Sequence, residues 1–274
     1  MTTSPTEGDQ SMPETGSRVI DLNADGGESF GRWPLGADDE LAPLITSINV
    51  ACGWHAGDPA TMSQAVTLTK EHDLALGSHP GFPDLVGFGR RAMAFSPAEA
   101  AQAVLYQTGA LRALADAQGV ALRHVKPHGS LYGLLMKDDD VADAVADAVT
   151  ALDPSLVLVL EAGHCAQRQL DRGHRVAAEA FADLEYTDDG HIIIDPANRR
   201  RDPQWCADQV EGILAGYVRS ASGMESPIRA DTICLHSDRP GAVENAVAVT
   251  ERITSLGWTI RPLHEHQDHD QEAS

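Results

Sequence analysis

Seven short apolar runs, separated by loops and helical patterns, constrain the fold of this 274-residue chain more than any other feature. They lie at residues 18–24, 45–51, 74–77, 122–125, 156–160, 176–181 and 232–235, and most are bounded by Gly, Pro or Asp, as buried strands are. Helical patterns fill the later gaps. Asp58-Pro59 opens a helix to about His72. Ser96-Pro97-Ala98-Glu99 supplies an N-cap, a proline at the first helical position and a glutamate three residues past the cap; the Ala-rich stretch behind it runs to Gln118, and Gly119 stops it. Further helices are predicted over 138–152, 164–172, 203–219 and 240–256. Strands joined through helices do not form hairpins; they pair in parallel through right-handed crossovers. No GxGxxG follows the first run, which argues against a dinucleotide-binding sheet, and no Gly-rich Walker loop is present to hold ATP.

Charge narrows the partners. Asp and Glu number 41 against 20 Lys and Arg, a net charge of −21. Residues 1–17 and 264–274 read as polar, disordered tails around a single domain at 18–263; they hold seven of the acidic residues and no Lys or Arg, leaving −14 on the body. A surface that acidic is a poor match for a phosphate backbone or an anionic membrane, so neither nucleic acid nor membrane is an expected partner. Residues 1–17 carry no apolar run and do not read as a signal peptide, and no stretch reaches the ~18 apolar residues of a membrane span. The four cysteines are far apart with no CxxC, so free thiols in a reducing cytoplasm are expected.

Seven parallel strands can form an open sheet or a closed barrel. The positions of the ionisable residues decide for the barrel. Asn23, Asp25 and Glu28 follow the first run; Asn49, His55 and Asp58 the second; His79, Asp84, Arg90 and Arg91 the third; Lys126 and His128 the fourth; Glu161 the fifth. Glu179 and Asp183 belong to the sixth, and His236 and Asp238 end the seventh. In a parallel (β/α) barrel all these strand ends converge on one face. His55, His79 and His128 sit in Gly/Pro-rich loops that let backbone and ligand approach closely; His72, His124, His174 and His191 read as histidines bonded to backbone. Two chemistries stay open. Asp25, His55 and His79 suit a divalent metal with room for water. Alternatively Asp25 or Glu28 acts as a general base while Lys126, His128 or Arg90 stabilises an oxyanion. Lys126 reads most simply as a cation for an anionic substrate, and Cys52 as packing.

The stretches Asp21–Glu28 (DLNADGGE), Asn49–Asp58 (NVACGWHAGD), Gly77–Asp84 (GSHPGFPD), Gly87–Arg91 (GFGRR), His124–Tyr132 (HVKPHGSLY) and Ala230–Asp238 (ADTICLHSD), in this order, resemble the LamB/YcsF family over roughly residues 18–262. The resemblance implies a seven-stranded parallel β/α barrel of the glycoside hydrolase/deacetylase type. It implies cleavage of the lactam of 5-oxoproline to glutamate, coupled to ATP hydrolysis, in an assembly with 5-oxoprolinase B and C subunits that handle ATP. It also implies catalytic roles for Asp25, Glu28, Lys126 and His128, and substrate contacts from Asn49, Arg90, Arg91, His236 and Asp238. A metal, if kept, maps onto Asp25, His55 and His79. Where the family usually has Cys, Leu, Arg, Arg and Thr, this chain has Ala24, Gly26, Leu184, Asp195 and Arg239. A cation lost beside a carboxylate-bearing substrate would alter substrate choice, with Arg239 a replacement source.

Overall fold

The computed structural model describes residues 18–193 and 198–263. The two expected tails and Asp195 lie outside the described residues. Strands β1 (Val19–Gly26), β2 (Ser47–Ala51), β3 (Ala75–His79), β4 (Leu122–Val125), β5 (Val157–Glu161) and β6 (Val176–Phe181) pair side by side in chain order, all parallel. An excursion follows, made of two small antiparallel pairs: β7 (Glu185–Tyr186) with β8 (Ile192–Ile193), and β9 (Tyr217–Arg219) with β10 (Glu225–Pro227). Strand β11 (Thr232–Leu235) then pairs with both β6 and β1 and closes a seven-stranded parallel barrel, as expected. A short β12 (Thr259–Ile260) lies along the start of β1.

The helices are α1 (Asp38–Leu41), α2 (Pro59–Glu71), α3 (Pro97–Ala117), α4 (Gly129–Leu135), α5 (Asp139–Leu152), α6 (His164–Asp171), α7 (Pro203–Ala215) and α8 (Ala242–Ser255). The predicted caps form: Asp58 accepts from the Ala60 and Thr61 N–H groups, and Ser96 and Glu99 make a capping box. One prediction is corrected. The helix expected over 203–219 stops at Ala215, because Gly216 takes a left-handed conformation (φ +96°) and 217–219 become β9. The helices α1 and α4 were not expected; α4 starts directly behind Lys126-Pro127-His128.

Alternation along the strands sorts the core into two parts. Ile20, Leu22, Ile48, Val50 and Leu76 belong to one buried apolar cluster, and Val125, Leu158 and Leu160 to a second that includes residues of α3 and α5. The intervening residues meet across the barrel and are largely polar. Asp21 accepts from the Ser47, Thr46 and Thr232 hydroxyls. One layer higher, Asn23 donates to Thr232 and Glu179, and its side-chain oxygen accepts from Asn49.

Burial raises the Asp21 carboxyl to about 6, against the hydrogen bonds that lower it. A folded value above the unfolded one favours folding only while the acid is neutral. That contribution is complete below pH ~4 and is lost as pH rises through about 6, a change of about 3 kcal/mol. Asp21→Asn cannot ionise. Its melting midpoint relative to the parent chain is expected to rise between pH ~4 and ~7, and a difference independent of pH would contradict this reading.

Candidate active site

The strand ends converge on a buried ammonium. Lys126 continues β4 by donating its backbone N–H to the Ser78 carbonyl at 2.9 Å. Its Nζ lies 3.0 Å from Asp25 Oδ1, 2.9 Å from Glu179 Oε1 and 2.9 Å from Cys234 Sγ. Its three protons are therefore engaged inside the barrel. Burial alone would lower the Lys126 pKa, but Asp25, Cys234 and Glu179 outweigh it and hold the ammonium well above its ordinary value. Asp25 is the converse case. Burial would raise its carboxyl, yet His79, Lys126 and His236 hold it well below the ordinary range, so it is ionised. Asn49 donates to the same Asp25 oxygen at 3.0 Å, and Tyr132 donates to Glu179 at 2.9 Å.

Beside this pair stand three imidazoles. His79 Nδ1 lies 2.7 Å from the Lys126 carbonyl, and His128 Nε2 lies 2.7 Å from the Phe88 carbonyl. A carbonyl only accepts, so each of these nitrogens carries its proton. His79 Nε2 and His128 Nδ1 then face each other at 3.0 Å. His55 stacks on His128 with ring centroids 3.7 Å apart, and both His55 nitrogens are buried without a hydrogen-bond partner among the described residues. Burial first, and the neighbouring imidazoles second, push His55 and His128 well below the ordinary histidine value. The tight stack needs glycine around it. A Cβ at Gly81 would meet His55 Nδ1 at 2.6 Å, and one at Gly89 would meet His55 and His128 carbons at 2.8 and 2.7 Å. Glu28 Oε1 lies 3.6 Å from His55 Nε2. Burial, then Asp238 and Asp25, raise its carboxyl well above the ordinary range.

A cavity of about 40 Å³ opens onto these groups, lined among others by Asp25, His79, Lys126, His128, Arg90, His236 and Arg239. Its rim is cationic but tied to acids. His236 and Arg239 share Asp183 at 3.0 and 3.2 Å, and Arg90 reaches Asp238 at 3.0 Å. Burial would depress His236, but Asp183 and then Asp25 and Asp238 raise it above its ordinary value. A roomier hollow of about 630 Å³, between α6 and the approach to β11, holds none of these residues. Convergent chemistry, not volume, marks the site.

The expected residues are placed unevenly. Asp25, Lys126, His128, Arg90 and His236 line the cavity. Asn49 lies beside Asp25 on the neighbouring strand and positions it, and Asp238 holds Arg90. His55 and His79 come together as expected, but the carboxylate grouped with them and His128 is Glu28, the four ligand atoms lying within 4.8 Å of one another; Asp25 groups instead with Cys234 and His236. Lys126 is spent on its own barrel partners rather than offered as an open cation. Arg91 is corrected to a loop role: its guanidinium pairs with Asp84, which also accepts the Gly87 N–H, and its side chain is 66% exposed. His124, read as bonded to backbone, is a buried barrel residue whose Nε2 meets Asn49 Oδ1 at 2.7 Å. The roles of Glu179, Cys234 and Tyr132 were missed. Spacing could have shown Cys234, which stands two residues before His236, and likewise His124, two before Lys126. Leu184 and Arg239 line the same cavity.

The LamB/YcsF family model matches residues 20–268. A relative from Thermococcus onnurineus, named as the A subunit of 5-oxoprolinase, is 44% identical over 250 residues, covering 90% of this chain and 98% of its own. One of the same name from Syntrophobacter fumaroxidans is 45% identical over 244 residues, covering 88% and 96%. The crystal structure of a lactam utilization protein from Thermus thermophilus superposes with a TM-score of 0.81 at 45% identity, covering 89% of this chain and 99% of that one. At 13% identity and a TM-score of 0.52, a putative cellobiose-phosphate cleavage protein from Enterococcus faecalis shares the fold alone. With a family model spanning nearly all of the barrel and relatives this similar over their full length, this chain belongs to the LamB/YcsF family.

Proposed function

We propose that this chain is the A subunit of an ATP-dependent 5-oxoprolinase and opens the lactam of 5-oxo-L-proline to L-glutamate. The observation that carries this reading is the 44–45% identity, along nearly the whole barrel, to relatives bearing that name. The site chemistry agrees with it. An unactivated lactam is a poor electrophile. Transfer of the terminal phosphoryl group of ATP to the lactam oxygen makes the ring carbon open to water. Breaking the C–N bond then frees the amine and leaves an acyl phosphate, which a second water hydrolyses to glutamate and phosphate. B and C subunits bring ATP, since this chain has no Walker loop. Four buried free thiols agree with a reducing cytoplasm, and no helix among the described residues is long and apolar enough to cross a membrane.

Each group has a task set by its surroundings. Ionised Asp25 directs water, takes the proton it releases and passes it to the leaving nitrogen. Lys126 is a positioning residue: it keeps Asp25 charged inside the barrel. Arg90, His236 and Arg239 hold the substrate carboxylate or the phosphate. A second reading, an amidase working alone with a metal, draws on the grouping of Glu28 with three histidines. Turnover without ATP or partners would favour it.

In the complex reconstituted from all three components, Asp25→Asn is expected to lower kcat about 10²–10⁴-fold. Arg90→Ala is expected to raise KM roughly 10–100-fold through loss of a charged hydrogen bond, while Arg91→Ala stays within about twofold. Wild-type KM should rise with pH as the raised His236 loses its proton, and His236→Gln should flatten that profile. Equal effects of the two arginine variants, or an unchanged profile in His236→Gln, would count against the assignments.

A further inference from the structure

We propose that His79 Nε2, His128 Nδ1 and a carboxylate oxygen of Glu28 bind one divalent transition-metal ion, with His55 stacked beside them as a non-ligand. The argument starts from protons. Each of His79 and His128 gives one ring N–H to a backbone carbonyl, of Lys126 and Phe88 respectively. That is how metal-ligating imidazoles are oriented. His79 Nε2 and His128 Nδ1 then lie 3.0 Å apart, with Asp25 Oδ2 3.4 Å from His79 Nε2, and whenever neither nitrogen carries a proton the two present lone pairs to each other. Two lone pairs at that distance repel unless a cation lies against both.

The geometry suits a metal. Ligand atoms about 2.0–2.2 Å from one ion stand about 3–3.5 Å apart in adjacent positions. The His79 and His128 rings are inclined at 81°, so their planes intersect and one ion can lie in both. One ligand atom each of Glu28, His55, His79 and His128 lie within 4.8 Å of one another. Glu28 is 3% exposed and accepts no hydrogen bond from the described residues, so its carboxylate form has no partner there unless a cation binds and displaces the proton. The charge of Asp25, in contrast, is already matched by Lys126 at Oδ1, where Asn49 also donates, and its Oδ2 lies 3.4 Å from His79 Nε2.

His55 is excluded by its stacking. Its ring lies 3.7 Å from that of His128 at an angle of 6°. Nearly parallel planes do not meet at one ion, so both rings cannot bind the same metal in plane. Phe88 supports the arrangement from the other side. It takes φ +53°, rare for a residue with a side chain, and in that conformation its carbonyl holds His128. Two imidazoles and one carboxylate leave positions open for water or substrate, a set suited to Zn²⁺, Mn²⁺, Fe²⁺ or Co²⁺.

The ion would lie inside the site assigned to lactam opening, but its binding needs neither substrate nor partners. The full chain, stripped with chelator, is titrated with Co²⁺ alone, followed by visible absorption and elemental analysis. One Co²⁺ per chain is expected. His79→Gln, His128→Gln and Glu28→Gln should each weaken binding at least about 100-fold, more than loss of an outer-shell partner. His55→Phe, which keeps the stack, and Asp25→Asn should stay within about tenfold. In the wild-type chain, side-chain ¹⁵N resonances give a readout that needs no variant: Zn²⁺ should move His79 and His128 ligand nitrogens and not those of His55. Absence of Co²⁺ binding overturns the proposal and leaves a proton shared between the two rings. Direct coordination of His55, or an unchanged affinity in Glu28→Gln, also overturns it. Failure of lactam turnover would leave this result untouched.

Discussion

A buried ammonium must be matched by buried anions, and the barrel interior is arranged around that requirement. Lys126 enters from β4, the carboxylates of Asp25 and Glu179 from β1 and β6, and from β11 the Cys234 thiol, which burial pushes well above its ordinary value and which accepts as a neutral group. These strands are far apart in sequence and meet only because the barrel closes. The charge match therefore depends on closure. In return, the charged cluster ties four strands across the barrel. Removing one partner would leave another charge buried and unpaired, which costs more than an ordinary hydrogen bond.

The same arrangement links packing to chemistry. Apolar residues on one parity of the strands join the clusters packed with the helices, so the other parity is free to carry Asp21, Asn23, Asp25, Asn49, His124 and Lys126. The polar ladder runs from the lower barrel, where Asp21 is held by hydroxyls, to the mouth, where Asp25 is held charged. Loops complete the mouth. Gly81 and Gly89 allow backbone to close against the histidine stack, and Asp84 folds the 84–91 turn with Arg91.

Much of this was legible from the residues. Apolar runs bounded by Gly, Pro and Asp located the barrel strands, and Ser96/Glu99 and Asp58 located helix starts. Ionisable residues at successive strand ends pointed to a barrel mouth. What failed was partner choice. Sequence marks Lys126 and Arg91 as cations, but only three-dimensional placement shows one spent on Asp25 and Glu179 and the other on Asp84. His124 was misjudged because a lone histidine beside Val125 gives no sign of facing Asn49 unless the strand parity is followed. Residues 217–219 were read into a helix because the apolar pattern of α7 continues past Gly216, whose left-handed conformation ends it.

The central claim is that Lys126 acts through Asp25, keeping it ionised, rather than by gripping the substrate. Lys126→Met keeps the length of the side chain and removes its charge. Glutamate release by the reconstituted complex, measured with this variant across substrate concentrations, separates the two roles. The account predicts a fall in kcat of about 10²-fold or more that saturating substrate does not restore. A raised KM with kcat unchanged would contradict it, and would return Lys126 to the role of an anion ligand.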